Sequence, residues 1–236
     1  TTESGFPVSD LETVRDLITT LRSSVLLFSQ FSRNTGGGGH ATAFLIAPDL
    51  AVTNSHNIRD SETGELTDGD LNLMTTKGNI IQAAVVGDDS SADIALLRLQ
   101  SPLELPLLKW ASAEEVAPGT PVFTIGNPAM MGRWVTHVGT LNEYRRVDYL
   151  DPAITHHEVR LNVPCMKGCS GSPIFNLDGE VIAVLYGGQD PSTEKYPIPL
   201  EVHGSIKFWK EDISLATSSQ QASELVEKFL ADEVVK

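Results

Sequence analysis

One serine, one histidine and one aspartate in this chain of 236 residues stand in local settings suited to activating a hydroxyl group. The serine is Ser170, within Gly168-Cys169-Ser170-Gly171-Ser172-Pro173. Gly168 and Gly171 let the backbone turn sharply with little side-chain obstruction. The N–H groups of Gly168 and Ser170 can then converge on an oxyanion, making Gly168, Cys169 and Ser170 the candidate oxyanion hole. The histidine is His56, at the end of the strand-like run Ala51-Val52-Thr53-Asn54-Ser55. There an imidazole can take a proton from a hydroxyl and return it to a leaving amine. The aspartate is Asp93, directly before the apolar run Ile94-Ala95-Leu96-Leu97. A partly buried carboxylate there needs a hydrogen-bond donor, and an imidazole N–H would serve while fixing the tautomer of the base. Each residue also has an ordinary reading. His56 is one of six histidines, Asp93 could simply start a strand beside the solvated-looking Asp88 and Asp89, and a Gly/Ser turn is common. Their joint occurrence, in the order His, Asp, Ser, carries the reading.

Short β-type runs must position these groups. They fall at Ser24 to Phe31, Thr42 to Ile46, Leu50 to Thr53, Ile80 to Val86, Ile94 to Leu99, Pro121 to Ile125, Val135 to Leu141, His157 to Val163, Pro173 to Phe175 and Val181 to Tyr186. Gly, Asp, Asn and Pro separate them, the spacing of a sandwich or barrel. Ser9 with Glu12 reads as a capping box opening a helix through Leu21, and Ser218 with Gln221 as another opening a closing helix. Leu103 to Pro118 is the candidate crossover between two lobes. The expected organisation is a helical segment over 1–23, a first lobe over 24–108 with His56 and Asp93, a second over 109–212 with Ser170, and a helix over 213–236.

Composition excludes several classes. The apolar fraction is 41%, the charged fraction 20%, and no apolar run is long enough for membrane insertion. With 31 acidic against 17 basic residues the formal charge is -14, which disfavours nucleic acid and anionic lipid as partners. Cys165 and Cys169 close too small a loop to staple a fold and make no metal constellation with neighbouring histidines, so no metal and no cofactor are expected. The chain does not open on a basic stretch followed by an apolar one, and the compartment stays open.

The combined motifs resemble the trypsin-like (chymotrypsin-fold) serine peptidases, most closely the HtrA/Deg protease domain. Ala41-Thr42-Ala43-Phe44-Leu45-Ile46 with Thr53-Asn54-Ser55-His56 resembles the family's His motif, and Asp93-Ile94-Ala95-Leu96-Leu97 its Asp motif. Ile125-Gly126-Asn127-Pro128 resembles the turn opening its second lobe, Gly168 to Pro173 its nucleophile loop, Gly179 to Val184 the following strand, and Pro197-Ile198-Pro199-Leu200 its closing segment. The resemblance covers roughly 24–210. It implies an all-β, chymotrypsin-like double antiparallel β-barrel with an N-terminal and a C-terminal helix. It further implies a serine endopeptidase acting on polypeptides through a His56, Asp93, Ser170 triad and an acyl-enzyme, possible homo-oligomers (trimers), and a leaning toward a periplasmic or secreted setting.

The resemblance also places the substrate-binding groups at Pro164, Cys165, Met166 and Lys167 and along Leu185, Tyr186, Gly187 and Gly188, where substrate would add as a β-strand. No acidic residue stands at the pocket-base positions, so a neutral or apolar P1 residue is expected rather than a basic one. Departures from the family are Cys169, where Asn or Asp is usual, Ala43 in place of Gly, and a segment from Leu215 to Lys236 that reads as a helix and leaves no room for the PDZ module often appended in that group. Cys169 cannot form the ion pair used in zymogen activation, so activity should not need a proteolytically released N-terminus. The pattern puts the nucleophile at Ser170 and not at Cys169. Competing readings are a catalytically silent binding protein or chaperone on the same barrel, and a peptidase that processes only itself.

Overall fold

The computed structural model describes residues 6–31, 38–60, 63–113, 116–129, 131–148, 155–163, 166–188 and 214–234. Twelve strands form two closed barrels. The first contains β1 (Val25–Phe31), β2 (Gly38–Ala47), β3 (Leu50–Thr53), β4 (Asp70–Met74), β5 (Ile80–Asp89) and β6 (Ile94–Leu99). The second contains β7 (Pro121–Gly126), β8 (Val135–Asp148), β9 (Thr155–Asn162), β10 (Pro173–Phe175), β11 (Val181–Gly188) and β12 (Ser214–Ser218). Pairing is antiparallel throughout, in the order β1-β2-β3-β6-β5-β4 and β10-β11-β12-β9-β8-β7. Helices α1 (Leu11–Leu21) and α2 (Ser219–Val234) flank the barrels. This is the chymotrypsin-like double barrel with a helix at each end that the resemblance implies.

The period of two along each strand explains why there are three cores rather than two. On β6, Ala95, Leu97 and Leu99 fill the first barrel, while Ile94 and Leu96 face the seam between barrels. On β2, Ala41, Ala43 and Leu45 point inward and Phe44 points to the seam. The seam core gathers Phe44, Val52, Ile94, Phe123, Phe175 and Val184 from both barrels. Phe123 and Phe175 stack at 5.0 Å between ring centroids. Each fully buried aliphatic or aromatic side chain there contributes roughly 1.5–3 kcal/mol, which binds the two lobes into one packing unit.

Both helices close this seam core. Val14 and Leu21 of α1 and Ala222 and Val226 of α2 are buried in it, and the Arg98 guanidinium lies 5.4 Å from the centre of the Phe229 ring on α2. Leu17 and Leu21 approach the turn at Gly179 so closely that a Cβ there would stand 3.0 and 3.3 Å from their methyl carbons. The opening helix therefore packs on its own barrel. The crossover is tied to both lobes: Leu108 N–H donates to Leu45 O at 3.1 Å, and Ala111 N–H to Val181 O at 2.9 Å.

Four local expectations differ from the structure. Segment 214–218, read with the closing helix, is strand β12, paired with β9 on one side and β11 on the other. Leu215-Ala216-Thr217 has little intrinsic preference, and pairing on both edges decides it. Strand β4 escaped notice because only Leu71 and Leu73 alternate with polar residues over five positions. Neither capping box forms. The α1 N-cap is Asp10 and makes no side-chain cap bond, the Ser218 hydroxyl has no hydrogen-bond partner, and Gln221 Oε1 instead accepts the His157 N–H at 2.8 Å. Asp88 and Asp89 are not solvated loop residues: they end β5, where Asp88 pairs with Arg59 and Asp89 Oδ1 caps the turn through the N–H groups of Ser91 and Ala92.

Candidate active site

His56 sits on a short 3₁₀ turn, Ser55–Ile58, that begins where β3 ends. Asp93 occupies the tight turn between β5 and β6 with φ +53°, the left-handed region that a non-glycine residue enters only where its surroundings hold it. Three contacts hold it. Asn54 Nδ2 donates to Asp93 O at 2.9 Å, Thr217 Oγ1 from the second barrel donates to Ala92 O at 2.6 Å, and Asp89 caps the turn. The carboxylate then grips His56 twice. Oδ2 lies 2.7 Å from Nδ1, and Oδ1 accepts the His56 backbone N–H at 2.9 Å. This clamp orients the ring and leaves Nε2 as the free proton acceptor. The imidazole side chain is 48% exposed, open to an incoming substrate.

Ser170 stands on the facing barrel, and its loop is bonded to the His56 side through Thr42. Thr42 N–H donates to Ser170 O at 2.8 Å, Thr53 Oγ1 donates to Thr42 O at 2.7 Å, and Asn57 Nδ2 donates to Thr53 Oγ1 at 3.0 Å. The Thr42 hydroxyl donates to Gly168 O at 2.9 Å and accepts the Asn127 N–H at 3.0 Å. Thr42 is fully buried, and its backbone and side chain meet the nucleophile loop at two carbonyls. Among the described residues the Ser170 hydroxyl donates to Tyr186 O at 3.3 Å and not to the His56 ring.

Backbone geometry explains the glycines of this loop. Gly168 has φ +94° and Gly171 φ +83°; a Cβ on the first would stand 2.3 Å from Asn127 O and on the second 2.0 Å from Thr42 O. No side chain fits at either position. Ala129 N–H donates to Lys167 O at 2.8 Å, which turns the N–H across that trans peptide, on Gly168, to the opposite side. Among the described residues the N–H groups of Gly168 and Ser170 meet no protein acceptor, whereas the Cys169 N–H donates to Met166 O at 2.9 Å. Cys169 therefore leaves the set of oxyanion donors expected from the sequence, because closing the tight turn uses its N–H. Its side chain lies in the second-barrel core, 1% exposed. Burial pushes the thiol pKa up, against the opposing pull of the Met166 backbone hydrogen bond.

The substrate-binding expectations divide. Pro164 and Cys165 lie outside the described residues, as does the closing segment Pro197 to Leu200. Met166 and Lys167 serve the loop through their carbonyls, with Lys167 exposed. Leu185 points into the barrel core, so only its backbone faces the site. Gly187 and Gly188 pair with Leu215 and Ser214 of β12, while β10 leaves the opposite edge of β11 at Val184. At the next residue the nucleophile loop takes over this edge: the Leu185 N–H donates to Ser172 O at 2.9 Å and the Leu185 carbonyl accepts the Gly171 N–H at 2.8 Å. Sequence reasoning missed the roles of Thr42 and Asn127, although both lie inside quoted motifs. It also missed Glu158, a buried carboxylate whose Oε2 accepts from the Tyr186 hydroxyl at 2.9 Å.

Two antiparallel barrels with a histidine–aspartate pair on one and a glycine-flanked serine on the other define the chymotrypsin-like class. The family model for the trypsin-like peptidase domain matches residues 41–184, and the chain belongs to that family. Its sequence relatives include a probable periplasmic serine endoprotease DegP-like of Rickettsia prowazekii, 32% identical over 61% of this chain, and a probable periplasmic serine protease do/HhoA-like of Haemophilus influenzae, 28% identical over 84%. The matches span only 27% and 38% of those relatives' own lengths. Similar folds include the Rv3671c protease of M. tuberculosis in its active form (TM-score 0.72, 21% identity, 95% of this chain and 88% of that one). Another is the HtrA-type protease AlgW with a tripeptide (TM-score 0.69, 18% identity, 90% of this chain and 62% of that one).

Proposed function

We propose that this chain is a serine endopeptidase that cleaves polypeptides through an acyl-enzyme. The two hydrogen bonds that the Asp93 carboxylate accepts from His56 carry the reading, because they leave the ring one tautomer and one orientation. Ser170 Oγ attacks the scissile carbonyl as its proton passes to His56 Nε2. The resulting oxyanion receives hydrogen bonds from the N–H groups of Gly168 and Ser170. His56 then gives the proton to the departing amine, leaving the acyl group on Ser170. Water repeats the sequence to release the acid and restore the hydroxyl.

The substrate is read as lying along Tyr186, Gly187 and Gly188, its P1 residue neutral or apolar and facing the region of Pro164, Cys165, Met166 and Lys167. The names of the relatives support a periplasmic or otherwise exported setting. Among the described residues no helix is long and apolar enough to cross a membrane. A trimer is the assembly suggested by family likeness, and gel filtration checks it. Labelling of Ser170 by a fluorophosphonate probe, together with casein degradation lost in Ser170→Ala, tests the enzymatic reading. An intact protein that neither labels nor degrades casein would be a silent binding module, and cleavage of its own precursor alone would mark a self-processing enzyme.

A further inference from the structure

A cavity of about 570 Å³ opens between the barrels, beside Gly168 of the nucleophile loop. Its walls include His40 and Met74 from the first barrel and Ala129 and Arg133 from the loop joining β7 to β8. It abuts the candidate oxyanion hole, since a Cβ on Gly168 would lie 2.9 Å from His40 Nε2 and 3.1 Å from Ala129 N. On the reading proposed above, the acyl half of a substrate lies along Tyr186, Gly187 and Gly188, and the half that leaves as the amine is assigned to the Gly168 side of Ser170, where this cavity opens.

Charge singles the cavity out. The chain carries 31 acidic and 17 basic residues, yet among the described residues the ionisable side chains lining this space are His40 and Arg133, with no carboxylate. Arg133 makes no ion pair among the described residues; its Nη1 reaches only the Met74 sulfur, at 3.8 Å, a weak acceptor. The loop that carries it is pinned. Asn127 Oδ1 accepts the Trp134 N–H at 3.0 Å, the Trp134 indole N–H donates to Val25 O at 2.7 Å, and Trp134 is held at φ +53°. The left-handed Trp134 backbone and its two hydrogen bonds fix the chain beside Arg133, whose exposed guanidinium has no ion pair among the described residues.

We infer that this cavity is a leaving-group-side subsite that selects an acidic residue of the polypeptide, with Arg133 as its specificity determinant. The inference rests on the serine endopeptidase reading. A guanidinium presents two parallel N–H groups to a carboxylate, and the His40 ring lines the same space. Leu27, Met74 and Ile80 supply an apolar surface for the stem of a glutamate.

The test uses quenched-fluorescent peptides identical on the acyl side, with Glu, Gln or Lys at each of the three positions after the scissile bond. At low salt kcat/KM is expected to favour Glu over Lys by about tenfold or more at one position, with the ratio shrinking as salt is added. In Arg133→Gln the ratio should fall to near one, and Arg133→Lys should keep part of it. Equal rates for Glu and Lys peptides in the wild type, or a preference that survives Arg133→Gln, would overturn the subsite. Absence of all cleavage would count against the peptidase reading instead. In that case the subsite is judged by fluorescence anisotropy with Ser170→Ala, where a labelled Glu peptide must bind more tightly than its Lys counterpart and lose that advantage in Ser170→Ala with Arg133→Gln.

Discussion

The Thr42 hydroxyl on the first barrel donates to the Gly168 carbonyl on the second at 2.9 Å, on the peptide that lies between those carrying the two candidate oxyanion donors. The same oxygen accepts from the Asn127 N–H, and the Thr42 N–H holds the Ser170 carbonyl. Nucleophile and base belong to different lobes, so their relation depends on such bonds across the seam.

Thr42→Val keeps the shape and deletes the hydroxyl, leaving Gly168 O and the Asn127 N–H without that partner. Losing buried hydrogen bonds of this kind is worth about 1–3 kcal/mol. We expect kcat to fall by roughly tenfold to a hundredfold with KM little changed, and Thr42→Ser to restore it. Peptide kinetics on the three proteins decide the point. A Val variant that melts lower but keeps its kcat would reduce Thr42 to a purely structural role.

Ser170→Ala should abolish turnover and fluorophosphonate labelling while leaving the melting temperature near the wild-type value. Loss of the nucleophile in such a triad removes up to about six orders of magnitude in kcat. Cys169→Ala should keep turnover and cost about 1 kcal/mol or more of stability, because the thiol is core packing. Reversed outcomes would move the nucleophile to the cysteine.

Asp93→Asn is expected to lower kcat by roughly 10⁴ through loss of the correct imidazole tautomer. The backbone N–H of His56 would still find an amide oxygen, so the fold should survive. Circular dichroism and a pH–rate profile on the purified variant check both parts.

Gly171→Ala places a methyl group where Thr42 O lies 2.0 Å away and forces φ +83° on an alanine. The expected result is a loss of several kcal/mol of stability, or failure to fold, measured by denaturant titration.

His137 is 3% exposed, and among the described residues neither ring nitrogen has a hydrogen-bond partner. Burial lowers its pKa, so the folded protein holds it neutral. An unfolded chain takes up the proton at the ordinary value of about 6.5 while the folded one does not. The resulting stability is whole above that value and is lost as pH falls from there toward the depressed folded pKa. His137→Leu should therefore melt higher than the wild type at pH 5 by a larger margin than at pH 7.5. Parallel margins would sink the assignment.

How much was legible in the sequence varies residue by residue. Alternation along Ile94 to Leu99 and the glycines around Ser170 are local signals, and both strand and turn formed where they pointed. Strand β12 was not legible, because partners on two edges, distant in the chain, impose its conformation on residues with weak preference. Asp88, Asp89 and Asp93 are three carboxylates within six positions. Nothing local says that the first pairs with Arg59, the second caps a turn and the third clamps His56.

By itself the sequence determined which groups could do chemistry, the order in which the chain presents them, and the two-residue period that builds barrels. These properties depend on side-chain type and on neighbours a few positions away. The tertiary structure decided which carboxylate meets the imidazole, that Thr42 and Asn127 lock the nucleophile loop, and that Arg133 lines a cavity with no acidic side chain among the described residues. Those outcomes follow from hydrogen bonds and packing between segments far apart in the chain, whose partners are chosen only when the two barrels close against each other.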